Sequence, residues 1–189
     1  AGEAITGTHG ADRIGGNMLA QCAVFGRTAG IEASRYAVEQ KKHSRRSVKP
    51  GEFPLVQRSA INSAEISAYR RELAKTAWEH GLVVRNQVGL EKWLHFMDTA
   101  DERLFSMGDD NSPEEIAARL ELRNLLVVGK AVCLSELGRE ESRGPHYRED
   151  FPELDSKNQA AATVVKFSES GGLSIEKQVV DPEWSDTEP

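Results

Sequence analysis

Apolar residues along this chain recur at helical spacing for most of its length and switch to alternation only near the end. From about Asn17 to Val38, Leu19, Ala23, Gly26, Gly30, Ala33 and Ala37 return every three or four positions, so they share one helical face. That face is mostly small. Its two interior glycines each cost about 1 kcal/mol relative to alanine in an exposed helix, which makes sense where another backbone packs closely. A second helix is predicted over 59–80, with Ile66, Tyr69, Leu73 and Ala77 on one stripe and Gly81 just beyond its end. A third covers 89–107, with Leu90, Trp93, Met97, Ala100 and Leu104 inward. The next has the clearest start: Ser112 as N-cap, Pro113 at the first helical position and Glu115 completing a capping box. Its apolar residues, Ile116, Leu120, Leu125, Val127, Val128, Val132 and Leu134, spread around the helix. That spread predicts a central position with contacts on several sides, and an end before Gly144-Pro145. Alternation then takes over, predicting a hairpin of 163–168 and 173–180 around Ser-Gly-Gly.

The flanks complete the picture. Ala1 to Gly16, rich in Gly, Ala and Thr, suits a short strand and a loop, and the acidic "DPEWSDTEP" suits a frayed end. The basic, apolar-poor "EQKKHSRRSVKPGEFP" reads as an exposed linker, with no aromatics between its charges to suggest nucleic-acid binding. The fold class expected is mainly α: a bundle of three main helices, preceded by a strand, loop and helix and followed by a small β-hairpin.

Composition narrows the functional classes. The chain has 189 residues, enough for one domain or a domain plus part of another, and a net charge of −6, which argues against a generic nucleic-acid binder. Cys22 and Cys133 are far apart and form no CxxC or Cys/His cluster, so no metal or cluster ligation is expected, and a reducing, cytoplasmic setting fits. No apolar run approaches the roughly 18–20 residues of a membrane span. No secretory signal peptide is evident. The opening "AGEAITG" reads like the interior of a larger sequence, so a fragment or processed chain is expected.

Two stretches could carry chemistry. In "THGADRIGGN", Gly7, Gly10, Gly15 and Gly16 permit close backbone approach to a ligand. The helix that follows offers free N–H groups and partial positive charge at Asn17, Met18 and Leu19, a setting that stabilises anions. Arg13 adds a permanent charge whose fork matches a carboxylate. The alternative is a Gly-rich connection whose arginine is a surface or salt-bridging residue. His9 is a candidate general acid or base, or a structural hydrogen-bonding residue; Glu3 is a candidate for a sugar hydroxyl, or simply solvated. The second stretch, "ELGREESRGPHYREDFPE", alternates Arg139, Arg143, His146 and Arg148 with Glu140, Glu141, Glu149 and Asp150. Its density suits a salt-bridged surface or a docking face, with a direct role for Arg143, His146 or Arg148 as the lesser reading.

Both stretches resemble one family. "AGEAITGTHGADRIGGNMLAQCAVFGRTAG" is similar to the "GE…GxHGANRLGGNSL…VFGRxAG" segment of the flavoprotein subunits of fumarate reductase and succinate dehydrogenase, much of it shared by L-aspartate oxidase. "ELRNLLVVGKAVCLSELGREESRGPHYREDFPELDSKN" resembles their "ELRNML…A…ESRGAHYREDYPxxDD…N" stretch. The order matches the family's C-terminal portion from end to end. The resemblance implies FAD as cofactor and a dicarboxylate as substrate. It places a substrate carboxylate on Arg13, the cofactor's ribose on Glu3, and the flavin at the helix start, Asn17, Met18 and Leu19, chiefly through the backbone N–H groups of the last two. It makes 1–38 the last strand, loop and helix of an FAD-binding domain, 39–57 a linker and 58–189 the helical C-terminal domain. Implied partners are the N-terminal FAD and capping portion of the same flavoprotein and an iron–sulfur subunit, through which the protein would associate with a membrane. Implied chemistry is hydride transfer between flavin and a C4 dicarboxylate.

Departures qualify these implications. Asp12 stands where the family has Asn, beside Arg13, and could weaken substrate binding or pair with Arg13. Met18 replaces the usual Ser, which spares a backbone contact and removes a hydroxyl. The family's GxGxxG strand–turn–helix, its capping domain with the arginine proton donor, and a histidine for covalent flavin attachment are all missing, so this chain alone is not expected to enclose FAD or turn over. The alternatives are an L-aspartate oxidase-type enzyme, or a non-catalytic helical interaction module when isolated.

Overall fold

The computed structural model describes residues 9, 14–43, 62–105, 112–155, 161–168 and 172–179. The chain divides into two compact units, Ala1–Leu55 and Val56–Pro189. The first is dominated by α1, Asn17–His43. This helix runs five residues beyond its expected end. Glu39, Gln40, Lys41 and Lys42 are good helix formers, and no Gly or Pro intervenes to stop it. The remainder of the expected linker, and most of the Ala1 to Gly16 segment expected to hold a short strand and a loop, lie outside the described residues. A side chain at Gly26 or Gly30 would meet no atom within 4 Å, so no described residue supplies the close backbone contact that the small face anticipates.

The second unit holds α2 (Ser63–Thr76), a π-helical turn (Ala77–Gly81), β1 (Val84–Arg85), α3 (Gln87–Phe105), α4 (Pro113–Gly138), β2 (Tyr147–Arg148), β3 (Ala161–Phe167) and β4 (Leu173–Val179). Local chemistry fixes each start. Asn62 caps α2: its Oδ1 accepts from the Ala64 and Glu65 N–H groups, both at 3.0 Å, while Glu65 reaches back to the Asn62 N–H. The start predicted at Ser59 overlooked this Asn-x-x-Glu box. Ser112 and Glu115 form the expected capping box of α4, with Pro113 opening the helix. Asn86 Oδ1 accepts from Gly89 N–H at 2.9 Å and sets the start of α3.

The core lies where the three helices meet. Ile66 and Leu73 come from α2, Leu90, Trp93, Met97, Ala100 and Leu104 from α3, and Leu122, Leu126 and Cys133 from α4. The α2 and α3 stripes agree with the sequence pattern. α4 touches α2, α3 and the β3–β4 strands, as the spread of its apolar residues implied, yet Leu120, Leu125, Val128 and Val132 are exposed, and the inward face carries Arg119 and Glu136 beside Leu122, Leu126 and Cys133. A broadly apolar helix gives no unique phase, so periodicity could not select the face. Close approach explains two glycines: a Cβ at Gly81 would lie 2.6 Å from a Trp93 ring carbon, and one at Gly129 2.7 Å from Met97 Sδ.

β3 and β4 form the predicted antiparallel hairpin, in register from Ala161 opposite Val179 to Phe167 opposite Leu173. It packs on the end of α4, where Ile175 lies so close that a side chain at Gly138 would collide with it. β1 and β2 were not predicted. They form a two-residue parallel ladder, Val84 with Tyr147 and Arg85 with Arg148. Strands this short carry no alternation to read. Among the described residues, no helix is long and apolar enough to cross a membrane.

Candidate functional site

In the first unit the candidate site is the entry to α1. Gly16 has φ +88°, a conformation that favours glycine, and turns the chain into the helix. A Cβ at Gly15 or Gly16 would meet no atom of the described residues within 4 Å, which leaves the backbone open on their side. Asn17 opens the helix, Met18 is half-buried and Leu19 is exposed. The Asn17 N–H donates to Ile14 O at 3.2 Å and the Leu19 N–H to Gly16 O at 3.1 Å. An acceptor arriving at this helix end therefore shares two N–H groups already engaged in the first turn. His9 Nε2 is hydrogen-bonded to Gln21 Oε1, tying the preceding loop to α1. Glu3, Asp12 and Arg13 lie outside the described residues.

The FAD that the family resemblance implies can be tested against this entry. A large planar group needs close backbone approach, and the open space at Gly15 and Gly16 supplies it without a side chain to displace. The 27-residue helix behind it brings partial positive charge to its start. In backbone terms the described residues fit.

The charged stretch of the second unit is a salt-bridged knot at the surface, as its density suggested, with two of its charges turned inside: Glu140, Glu149 and Asp150 are exposed, Arg139, Arg143 and His146 half-buried, and Glu141 and Arg148 buried. Glu141 is 1% exposed and accepts from Arg139 Nη1, from Arg143 Nε and Nη2, and from the Asp155 N–H. Burial pushes its pKa up, but the hydrogen bonds from Arg143, the Asp155 backbone and Arg139 outweigh it and hold the carboxyl below its ordinary value. Arg148 is equally buried and forms a bidentate pair with Asp150, 2.7 Å on each arm. Its remaining nitrogen donates to Glu136 O at 2.8 Å, and its guanidinium lies over the Phe151 ring, 4.9 Å from the centroid. Asp150 is held down to about 2, first by the Arg148 hydrogen bonds.

Arg85, which sequence reasoning missed, completes the knot. Its Nε donates to Glu136 Oε1 at 2.7 Å and to Gly81 O at 2.9 Å, and its Nη1 to Pro145 O at 3.2 Å. Glu136 sits above its ordinary pKa because burial outweighs Arg85, and its Oε2 has no hydrogen-bond partner among the described residues. The Arg143–His146 turn is closed by reciprocal backbone hydrogen bonds of 2.7 and 3.0 Å, with Gly144 at φ +54°. His146 Nε2 lies 3.2 Å from Arg139 O. Burial lowers its pKa, and the nearby Arg85, Arg139 and Arg148 reinforce that shift. These side chains spend their hydrogen-bonding capacity on one another and on backbone, so the stretch braces the bundle. The open backbone suited to a ligand lies at the start of α1.

Residues 70–189 match the family model described as the C-terminal region of fumarate reductase flavoproteins. Over 163 residues the chain is 40% identical to a fumarate reductase (CoM/CoB) subunit of Methanothermobacter marburgensis, covering 81% of this chain and 29% of that protein. It is 32% identical over 184 residues to the chloroplastic L-aspartate oxidase of Arabidopsis thaliana, covering 89% of this chain and 28% of the relative. Among solved structures, Mycobacterium smegmatis Sdh1 in complex with UQ1 superposes with a TM-score of 0.72 at 26% identity, covering 96% of this chain and 32% of that one. The chain thus spans just under a third of the length of these relatives.

Proposed function

The chain belongs to the fumarate reductase and succinate dehydrogenase flavoprotein family, whose members bind FAD, and on that premise we propose that it serves as the C-terminal part of an FAD-dependent oxidoreductase interconverting fumarate and succinate. The observation that carries this reading is the 40% identity, over 81% of the chain, to part of a fumarate reductase. Bound FAD supplies the hydride exchange with the C4 dicarboxylate. The residues of this chain prepare the site. Arg13 binds a substrate carboxylate through its fork and stabilises charge that develops during the reaction. Glu3 holds the cofactor's ribose. Asn17, Met18 and Leu19 turn the start of α1 toward the flavin, where the helix end favours negative charge. An iron–sulfur subunit exchanges the electrons, and any membrane association runs through partner subunits.

Complementation tests this. The chain alone should show neither flavin absorbance in the visible range nor fumarate-dependent oxidation of a reduced dye. Combined with the remaining portion of the flavoprotein, it should show both. Failure of the combination to bind flavin, or full activity of the chain alone, would sink the reading. The 32% identity to an L-aspartate oxidase favours one second reading, aspartate oxidation on the same flavin. Supplying L-aspartate and oxygen to the complemented enzyme separates the two.

A further inference from the structure

The segment from Trp78 to Val88 is built in a way that neither the bundle nor the proposed chemistry uses. Leu82, Val83 and Val84 form a three-residue turn closed by a hydrogen bond of 2.7 Å from the Val84 N–H to Leu82 O. Its central residue, Val83, has φ +50°, the uncommon and strained sense for such a turn and an outlier for a β-branched side chain. The turn is held from beneath. Arg85 donates to Gly81 O, and its pair with Glu136 anchors it to α4. The strain is thus fixed by buried charge, and it has a visible result: Val83 is 72% exposed, flanked by Trp78 at 73% and Val88 at 61%, with Leu82 and Val84 about half out. Strained backbone persists where the surroundings over-determine it, and it concentrates at places that bind something.

We infer that Trp78, Leu82, Val83, Val84 and Val88 form a permanent packing surface for the portion of the same flavoprotein that lies outside these 189 residues. The inference rests on the functional reading above. Two features select this occupant. The segment itself carries little exposed charge: of its three ionisable residues, Arg85 is turned inward, His80 is half-buried and only Glu79 is exposed, while the neighbouring Glu149 and Asp150 are engaged by Asn86 and the Gln87 N–H. Permanent interfaces resemble a domain core cut in half, whereas transient ones are more polar. The relatives are also about three times as long as this chain, so in them roughly two-thirds of the flavoprotein lies outside the matched part and is at hand to cover this surface. A rigid apolar turn with few charges suits that neighbour better than a partner that comes and goes.

The test uses the full-length flavoprotein purified with its iron–sulfur partner. A photo-crosslinking phenylalanine analogue replaces Val83, and the products are mapped by mass spectrometry. Cross-links should join position 83 to flavoprotein peptides outside these residues. Cross-links confined to the iron–sulfur partner or to a second copy would overturn the proposal. Hydroxyl-radical labelling of the unsubstituted protein guards against a folding artefact. Labelling of Trp78 should fall severalfold between the 189-residue chain and the full-length protein. Unchanged labelling would overturn the proposal. Flavin absorbance and fumarate turnover are read on the same preparations. An inactive protein with protected Trp78 sinks the functional reading alone, and an active one with freely labelled Trp78 sinks this inference alone.

Discussion

The Arg148 guanidinium and the Asp150 carboxylate meet through two hydrogen bonds of 2.7 Å, and each partner also serves a different helix. Arg148 donates to Glu136 O at the end of α4, and Asp150 accepts from the Gln87 N–H at the start of α3, at 2.8 Å. A cation at a helix C-terminus and an anion at a helix N-terminus both complement the macrodipole. One ion pair therefore satisfies two helix ends at once. Arg148→Ala would leave the Asp150 carboxylate and several α4 carbonyls without their partner. The expected loss is about 3–5 kcal/mol, read from the urea midpoint. Arg148→Lys should recover little, because an ammonium cannot reproduce the fork.

The same pair gives an acid limb to stability. Asp150 is depressed from 3.8 to about 2, first by the Arg148 hydrogen bonds and further by the Gln87 N–H, against a burial penalty. A depressed carboxyl contributes stability that is fully present above its unfolded value and is lost as pH falls through the folded one. Stability should therefore drop between about pH 4 and pH 2, with solvent screening at this partly exposed carboxylate keeping its share to about 1 kcal/mol. In Asp150→Asn that part of the slope should disappear from a series of pH-dependent melts.

Glycine substitutions in the core should diverge. Gly81→Ala would drive a methyl to 2.6 Å from the rigid Trp93 ring, at an expected cost of about 1–3 kcal/mol. Gly129→Ala meets the flexible Met97 thioether instead, and alanine gains up to about 1 kcal/mol of helix propensity. Denaturation midpoints should place Gly129→Ala near wild type and Gly81→Ala clearly below it.

The two thiols should separate cleanly. Cys133 is fully buried, its Sγ donates to Leu90 O, and burial first, then Glu136, pushes its pKa up to about 12. Cys22 is only half-buried. Iodoacetamide at mildly alkaline pH should give a single adduct, at Cys22, by mass spectrometry. A second adduct under native conditions would show that the α3–α4 seam opens readily.

In the complemented enzyme, Arg13→Ala should cut dicarboxylate turnover at least about hundredfold while retaining flavin. Retained turnover would remove Arg13 from the substrate site.

Much of this arrangement was legible in the residues. Ser112-Pro113-x-Glu115 announced α4, and the Leu90, Trp93, Met97, Ala100 and Leu104 stripe gave the buried face of α3. The α4 face was illegible because its apolar residues surround the axis, and choosing among them requires neighbours that sequence does not name. The density of charge from Arg139 to Asp150 was plain, but the inward turn of Glu141 and Arg148 was hidden. So was the part of Arg85, more than fifty residues earlier in a valine-rich stretch with no motif of its own, which reaches Glu136 and Pro145 O. At the candidate site, the start of α1 at Asn17 was legible from the Gly-Gly turn and the helical spacing that follows it.

The two-residue ladder between β1 and β2 joins points 63 positions apart, with α3 and α4 contained in the ring it closes. The lengths of those helices are therefore coupled. An extra residue inserted within α4 would turn everything beyond it by about 100°. Glu136 would then swing away from Arg85, and Asp150, with its partner Arg148, from the start of α3. Insertions between Val84 and Tyr147 should be tolerated only in the connection between α3 and α4, where added residues need not alter the phase of either helix.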